Sequence, residues 1–137
     1  MVEGAPALLG EAGVADRCAA VGGHMAEPFP AGRDLDVLSR VLHDWEDARA
    51  VVVLRTCRPA LHGRLCPIVV ERVLPDRVEP DQAVQAVMLS DLDMLVRTGG
   101  RERTRGDFAA LLAQADLRLV RVVATRGAVA VVQAVPA

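Results

Sequence analysis

Three features of the 137-residue chain predict an α/β fold whose sheet is doubly wound, mostly parallel and closed by an antiparallel hairpin. Arg64 to Val70 is short and almost continuously apolar, the pattern of a strand buried on both faces. The span 81–97 carries apolar residues at helical spacing, with Val84, Met88, Leu92 and Leu95 on one face and Val87 and Met94 beside it. Leu117 to Ala124 and Ala128 to Val135 read as two strands joined by a tight turn at Arg126-Gly127.

The elements follow in order. Residues 1–15 are rich in Ala and Gly and read as a short helix. Arg17 to Val21 reads as a strand ending at Gly22-Gly23, and Pro28 to Gly32 as a loop. Leu35 to Leu42 reads as a strand that ends just before His43. A helix is expected from Asp44-Trp45-Glu46-Asp47 to about Arg58, with Asp44 as its cap, Asp47 at the third helical position and Pro59 as its stop. The β-branched run Val51-Val52-Val53 opposes that helix, but capping and length outweigh it. Gly99-Gly100 ends the 81–97 helix. Thr104-Arg105-Gly106-Asp107 resembles a capping box, with Asp in place of Glu, and opens a helix bearing Phe108, Leu111, Leu112 and Ala115. The first three strands need crossovers and should be parallel. Neither a repeat nor a second domain is evident.

Composition narrows the function. At 52% hydrophobic and 25% charged, the chain can build a packed core. Aromatics make up 2%, so there is no stacking platform for single-stranded nucleic acid. The net charge is -2 and the arginines are scattered among acids, so no basic face is offered to a phosphate backbone. No apolar run reaches the length of a membrane span, and Met1 to Ala7 does not read as a secretory signal. The three cysteines, Cys18, Cys57 and Cys66, are odd in number and fit a reducing cytoplasm. Cys57, His62 and Cys66 lack a C-x-x-C knuckle and read as buried or incidental thiols, so no metal site is expected.

Ligands of open α/β sheets bind beyond the carboxyl ends of the strands. Gly22-Gly23-His24-Met25, Leu42-His43-Asp44-Trp45 and Val70-Glu71-Arg72 fall at such ends, and Arg101-Glu102-Arg103-Thr104 is placed to fold over the same edge. A His flanked by carboxylates suits proton transfer. On spacing alone the bland readings stay open: His43 as a solvated loop residue, Glu71 and Glu102 as surface charges, Met25 and Met94 as packing, and Arg-Glu-Arg as a salt-bridged loop.

In this order and spacing, Leu42-His43-Asp44-Trp45, Val70-Glu71-Arg72-Val73-Leu74-Pro75, Asp91-Leu92-Asp93-Met94-Leu95 and Gly99-Gly100-Arg101-Glu102-Arg103-Thr104 closely resemble the S-adenosylmethionine-dependent O-methyltransferases of the caffeate, hydroxyneurosporene and polyketide-tailoring type. The resemblance runs from about Gly13 to the C-terminus, including Phe108 and Gln133-Ala134-Val135. It implies a Rossmann-like methyltransferase sheet, S-adenosylmethionine as cofactor and a small hydroxylated acceptor, without nucleic-acid or membrane partners. It implies His43 as the base that deprotonates the acceptor hydroxyl, with Glu71 and Glu102 orienting it. Gly23, His24 and Met25 fall on the family's adenosine-contacting Gly-Gly-Asp-Met/Phe segment, with His24 where the family has Asp. Ser39 and Arg40 fall near the methionine part of the cofactor, and Asp44, Asp91 and Met94 near the acceptor. Residues 1–137 then correspond to the C-terminal portion of the catalytic domain, without the N-terminal dimerisation domain and the first Gly-rich strand-loop-helix unit. A homodimer is expected only if that dimerisation domain is present. A reading of another class is a non-catalytic remnant, or a module that pairs with another methyltransferase chain.

Overall fold

In a computed structural model of the chain, the structure describes residues 9–27, 35–57, 67–78 and 81–137. In chain order the elements are β1 (Val37–Ser39), a 3-10 turn (Leu42–Asp44), α1 (Asp47–Cys57), β2 (Ile68–Glu71), β3 (Val73–Leu74), α2 (Gln82–Arg97), β4 (Arg103–Thr104), α3 (Arg105–Gln114), β5 (Leu117–Ala124) and β6 (Ala130–Pro136). The main sheet has the order β1-β2-β6-β5, and β3 pairs with β4 separately. β1 runs parallel to β2, with Ser39 opposite Val70. β6 runs antiparallel to β2, with Glu71 opposite Ala130, and also antiparallel to β5. The expected α/β class and antiparallel C-terminal hairpin are thus both present. No helix among the described residues is long and apolar enough to cross a membrane.

Alternation along each strand decides what is buried. Leu38 of β1, Val69 of β2, and Val132 and Ala134 of β6 enter one core together with Leu54 of α1 and Leu111 and Leu112 of α3. Glu71 lies two residues beyond Val69, so the same alternation turns its carboxylate to the buried side, where it is 1% exposed.

Several boundaries differ from the sequence expectation. Residues 17–21 are irregular and exposed rather than a strand. No strand ladder engages them among the described residues, and an unpaired strand is not stable in water. The strand expected over 35–42 is cut to Val37–Ser39 because Arg40 turns to φ 55° and the backbone coils into the 3-10 turn. Asp44 therefore lies in that turn and does not cap α1. Glu46 stands at the entrance instead, its carbonyl accepting from the N–H of Ala50 at 3.0 Å and its carboxylate from Ala48 at 3.4 Å. Asp47 opens α1, where it was expected two positions later. Arg58, Pro59 and the 64–66 start of the expected third strand lie outside the described residues.

The buried face of α2 also differs. Ser90 and Met94 are buried, while Leu92 and Leu95 are exposed together with Leu89 and Val96. Two polar bonds join this face to Glu102. The Ser90 hydroxyl donates to the Glu102 carboxylate at 2.7 Å, and the Glu102 N–H donates to Asp91 at 2.8 Å. Apolar periodicity alone cannot weigh such bonds.

The end of α2 and the start of α3 follow the sequence. Gly99 takes φ 74° as the chain leaves α2. Gly100 packs onto the backbone of the 3-10 turn, so that an added Cβ would collide with the His43 carbonyl oxygen and lie 2.6 Å from the Asp44 carbonyl carbon. Thr104 and Asp107 form the expected capping box, each side chain bonding the other's backbone N–H. The Thr104 N–H bond holds the Asp107 carboxyl below the usual range; burial opposes this, and the Thr104 hydroxyl, Arg101 and Arg103 assist it.

Thr104→Ala should cost about 1 kcal/mol of unfolding free energy, the usual value of such a cap, read from urea denaturation. A carboxyl whose pKa is lowered by folding adds stability above its unfolded value of about 3.9, and this is lost as pH falls through the lower native value. The urea midpoint of the wild-type chain should therefore fall more between pH 6 and pH 3 than that of Asp107→Asn. Gly100→Ala should destabilise the chain by more than 1 kcal/mol, about the threshold that separates an ordinary surface change from a backbone clash.

Candidate active site

The site begins where β1 and β2 end side by side. The Arg40 N–H donates to the Val70 carbonyl at 3.0 Å, the last bond of the parallel pairing. The chain then turns, and the N–H groups of Val41 and Leu42 both reach Glu71 Oε1 at 2.8 Å. These donors open a 3-10 turn and have no partner within it, so the Glu71 carboxylate completes the turn that carries His43.

His43 is 6% exposed, Glu71 1% and Glu102 2%. His43 Nδ1 faces inward, 3.4 Å from Glu71 Oε2 and 3.6 Å from Glu102 Oε1. His43 Nε2 lies 3.6 Å from Asp44 Oδ1, on the more open side, since the Asp44 side chain is 44% exposed. Glu102 reaches the cluster from the loop after α2, oriented by Ser90 and Asp91 as described above. Burial pushes the Glu71 carboxyl above the ordinary range; His43 and the Val41 and Leu42 N–H groups pull it down, and the charge of Glu102 pushes it up. His43, Glu71 and Glu102 also present ligand atoms that all lie within 4.8 Å of one another, a set able to hold a metal ion.

A second clamp was not singled out in the sequence. Arg103 is 1% exposed. It donates to the carbonyls of Leu42 at 2.7 Å and Trp45 at 2.9 Å, and to Asp47 Oδ1 at 2.8 and 3.1 Å. Arg101 reaches Asp47 Oδ2 at 2.7 Å. Burial raises the Asp47 carboxyl, but the bonds and charges of Arg103 and Arg101 outweigh it and hold the carboxyl below its usual value. The Arg-Glu-Arg stretch is salt-bridged, through both arginines to Asp47, and it also buries Glu102 and Arg103. Its Arg103 is a buried strut beneath the His43 turn, and no local pattern in the sequence separates it from its exposed neighbour Arg101.

A cleft of about 220 Å³ lies beside the turn, lined by His24, Met25, Ala26, Trp45, Arg49, Val52 and Val53. Arg49 sits over the Trp45 ring at 5.5 Å. The Thr56 hydroxyl donates to the Met25 carbonyl at 3.2 Å and ties this loop to α1. The Ala26 N–H donates to His24 Nδ1 at 3.1 Å.

The structure thus brings His43, Glu71 and Glu102 together, with Asp44 beside them and Asp91 behind Glu102. His24 and Met25 line a separate cleft joined to the cluster through Trp45, and Gly23 lies exposed next to them. Ser39 and Arg40 are exposed at the end of β1, and Met94 is buried on α2. Cys57 is buried, with its thiol 3.4 Å from the Val53 carbonyl, while His62 and Cys66 lie outside the described residues.

Residues 1–118 match the O-methyltransferase domain family. The chain is 43% identical over 130 residues to the phenazine O-methyltransferase PhzM of Lysobacter antibioticus, covering 93% of this chain and 36% of that protein. It is 46% identical over 120 residues to the O-demethylpuromycin-O-methyltransferase of Streptomyces alboniger, covering 86% of this chain and 31% of that protein. The chain thus spans about a third of the length of the curated relatives it matches. The crystal structure of LaPhzM superposes with a TM-score of 0.87 at 42% identity, over 98% of this chain and 40% of the other. An O-methyltransferase of neocarzinostatin biosynthesis, solved with S-adenosylmethionine and 2-hydroxy-5-methyl naphthoic acid, superposes with a TM-score of 0.79 at 33% identity, over 98% of this chain and 38% of the other. The chain therefore belongs to the O-methyltransferase domain family.

Proposed function

We propose that this chain is the C-terminal portion of an O-methyltransferase catalytic domain and carries the general base for methyl transfer to a hydroxyl of a small aromatic or polyketide-like acceptor. The observation that carries this reading is the placement of His43. Its Nδ1 is enclosed by two buried carboxylates, and its Nε2 faces the open side next to Asp44. Carboxylates only accept when ionised, so they favour the imidazole proton on Nδ1 and leave the Nε2 lone pair outward. His43 Nε2 takes the proton of the acceptor hydroxyl, and Glu71 and Glu102 stabilise the positive charge the ring then acquires. Asp44 flanks the acceptor, Asp91 acts on it through Glu102, whose N–H it accepts, and Met94 adds apolar surface.

S-adenosylmethionine, when bound, supplies the electrophilic methyl group. The chain fits its adenine end at the cleft, where a thioether from Met25, an indole from Trp45 and the valines of α1 offer flat apolar walls. His24 Nδ1 already accepts the Ala26 N–H, so in the neutral ring Nε2 bears the proton, and His24 presents a donor where the family's Asp presents an acceptor. Gly23 stands exposed beside that cleft, and Ser39 and Arg40 stand at the β1 end for the methionine part. The relatives named for phenazine and demethylpuromycin, and the neighbour solved with a hydroxynaphthoic acid, support an aromatic acceptor. A reducing cytoplasm suits the exposed Cys18 thiol.

In the protein carrying this sequence, transfer of a radiolabelled methyl group to hydroxynaphthoates should fall about 10²- to 10⁴-fold in kcat on His43→Ala, with KM for S-adenosylmethionine little changed. Methyl transfer surviving His43→Ala would refute the assignment of the base. Calorimetry of S-adenosylmethionine with His24→Asp should show tighter binding than the present chain, because an acceptor for the adenine amino group is restored; unchanged affinity would remove His24 from the cofactor site.

A further inference from the structure

We infer that Arg103 is a positioning residue for methyl transfer: its one guanidinium fixes the base turn and the wall of the neighbouring cleft relative to each other. The inference rests on the reading of His43 as the base and of the cleft as the pocket for the adenine end. Arg103 Nη1 donates to the Leu42 carbonyl at 2.7 Å, and Nη2 donates to the Trp45 carbonyl at 2.9 Å. These two carbonyls bracket His43 and Asp44, so the segment that carries the base is held at both ends. Arg103 Nε and Nη2 also donate to Asp47 Oδ1, at 3.1 and 2.8 Å. Asp47 opens α1, and Arg49, Val52 and Val53 of that helix line the cleft together with Trp45. The three acceptors of one side chain thus belong to the base turn, to the cleft wall and to the helix behind it.

A guanidinium suits this task because its donors are fixed in one plane, so that a shift at one acceptor is passed to the others. Methyl transfer needs that rigidity. The hydroxyl that His43 deprotonates and the methyl donor must stand in line, and a displacement of about 1 Å costs about 10²-fold in rate.

Stability alone does not call for an arginine here. Arg103 is 1% exposed, whereas the side chain of Asp47 is 45% exposed. Burying a guanidinium is costly, and a packed apolar side chain often stabilises a core as well or better. Loss of Arg103 would also strand few groups. Asp47 keeps Arg101, and the Leu42 carbonyl keeps the Trp45 N–H at 3.3 Å. What would be lost is the register between the turn and the cleft.

The test compares two variants in the protein carrying this sequence. Arg103→Met keeps the apolar stem and removes the fork, and Arg103→Lys keeps the charge. Both should melt close to the wild type. Both should lower kcat for methyl transfer about 10²-fold and raise KM for S-adenosylmethionine several-fold, whereas His43→Ala lowers kcat alone. Without any methyl transfer, the nitrogen-15 resonances of the His43 ring and the Trp45 indole should move together in Arg103→Lys. If neither variant folds, Asp47→Asn carries the test, since Asp47 lines no part of the cleft; it should give smaller losses in the same two parameters. Folded variants with wild-type kcat and KM, a kcat loss that only tracks the unfolded fraction, or a His43 shift with the Trp45 indole unmoved would each overturn the inference. Methyl transfer that survives His43→Ala while the Arg103 variants still show both losses would instead remove the base and leave the clamp, so the two readings fail separately.

Discussion

The placement of one carboxylate, Glu71, organises the site. One of its oxygens completes the turn after β1 by accepting from Val41 and Leu42, and the other faces His43. Strand alternation puts it on the buried side of β2, and the parallel register of β1 and β2 puts the two strand ends side by side. The fold and the site thus depend on the same residue. Removing its acceptor would leave the buried Leu42 donor and the part-buried Val41 donor without this partner and free the histidine turn at once.

Around this bond the structure holds the His43 turn from three other directions. Arg103 grips two of its carbonyls from below, Gly100 packs against its backbone, and Glu102 closes the imidazole from the α2 side. Three of these residues come from one stretch of chain, residues 100–103. The segment between α2 and β4 is therefore less a connection than a second half of the site. Rigid support of this kind suits a proton-transfer group, whose reach must be held within a few tenths of an ångström. Met25 and Trp45 link the turn to a separate cleft, so a ligand there and an acceptor at His43 would share the Trp45 backbone as a common wall.

Much of this was legible in the residues. The capping box at Thr104, the helix stop at Gly99 and the hairpin of β5 and β6 follow from local rules that need no tertiary context. His43, Glu71 and Glu102 were found because strand ends and a motif set pointed to them. What escaped depends on long-range partners. The strand expected at 17–21 pairs with no strand among the described residues, the inward face of α2 carries Ser90 and Asp91 bonded to Glu102 rather than its leucines, and Arg103 becomes a strut only because carbonyls 61 and 58 residues away converge on it. Buried arginine looks the same as surface arginine in a sequence, and only the geometry of its acceptors separates them.

The central claim is that the two carboxylates hold the His43 proton on Nδ1 and leave Nε2 free to act. Nitrogen-15 spectra of the metal-free chain at neutral pH test it most directly, since they report which ring nitrogen of His43 carries the proton. The account predicts a protonated Nδ1 and a bare Nε2. A His43 found in the opposite tautomer, with the proton on Nε2 and Nδ1 bare between Glu71 and Glu102, would contradict it.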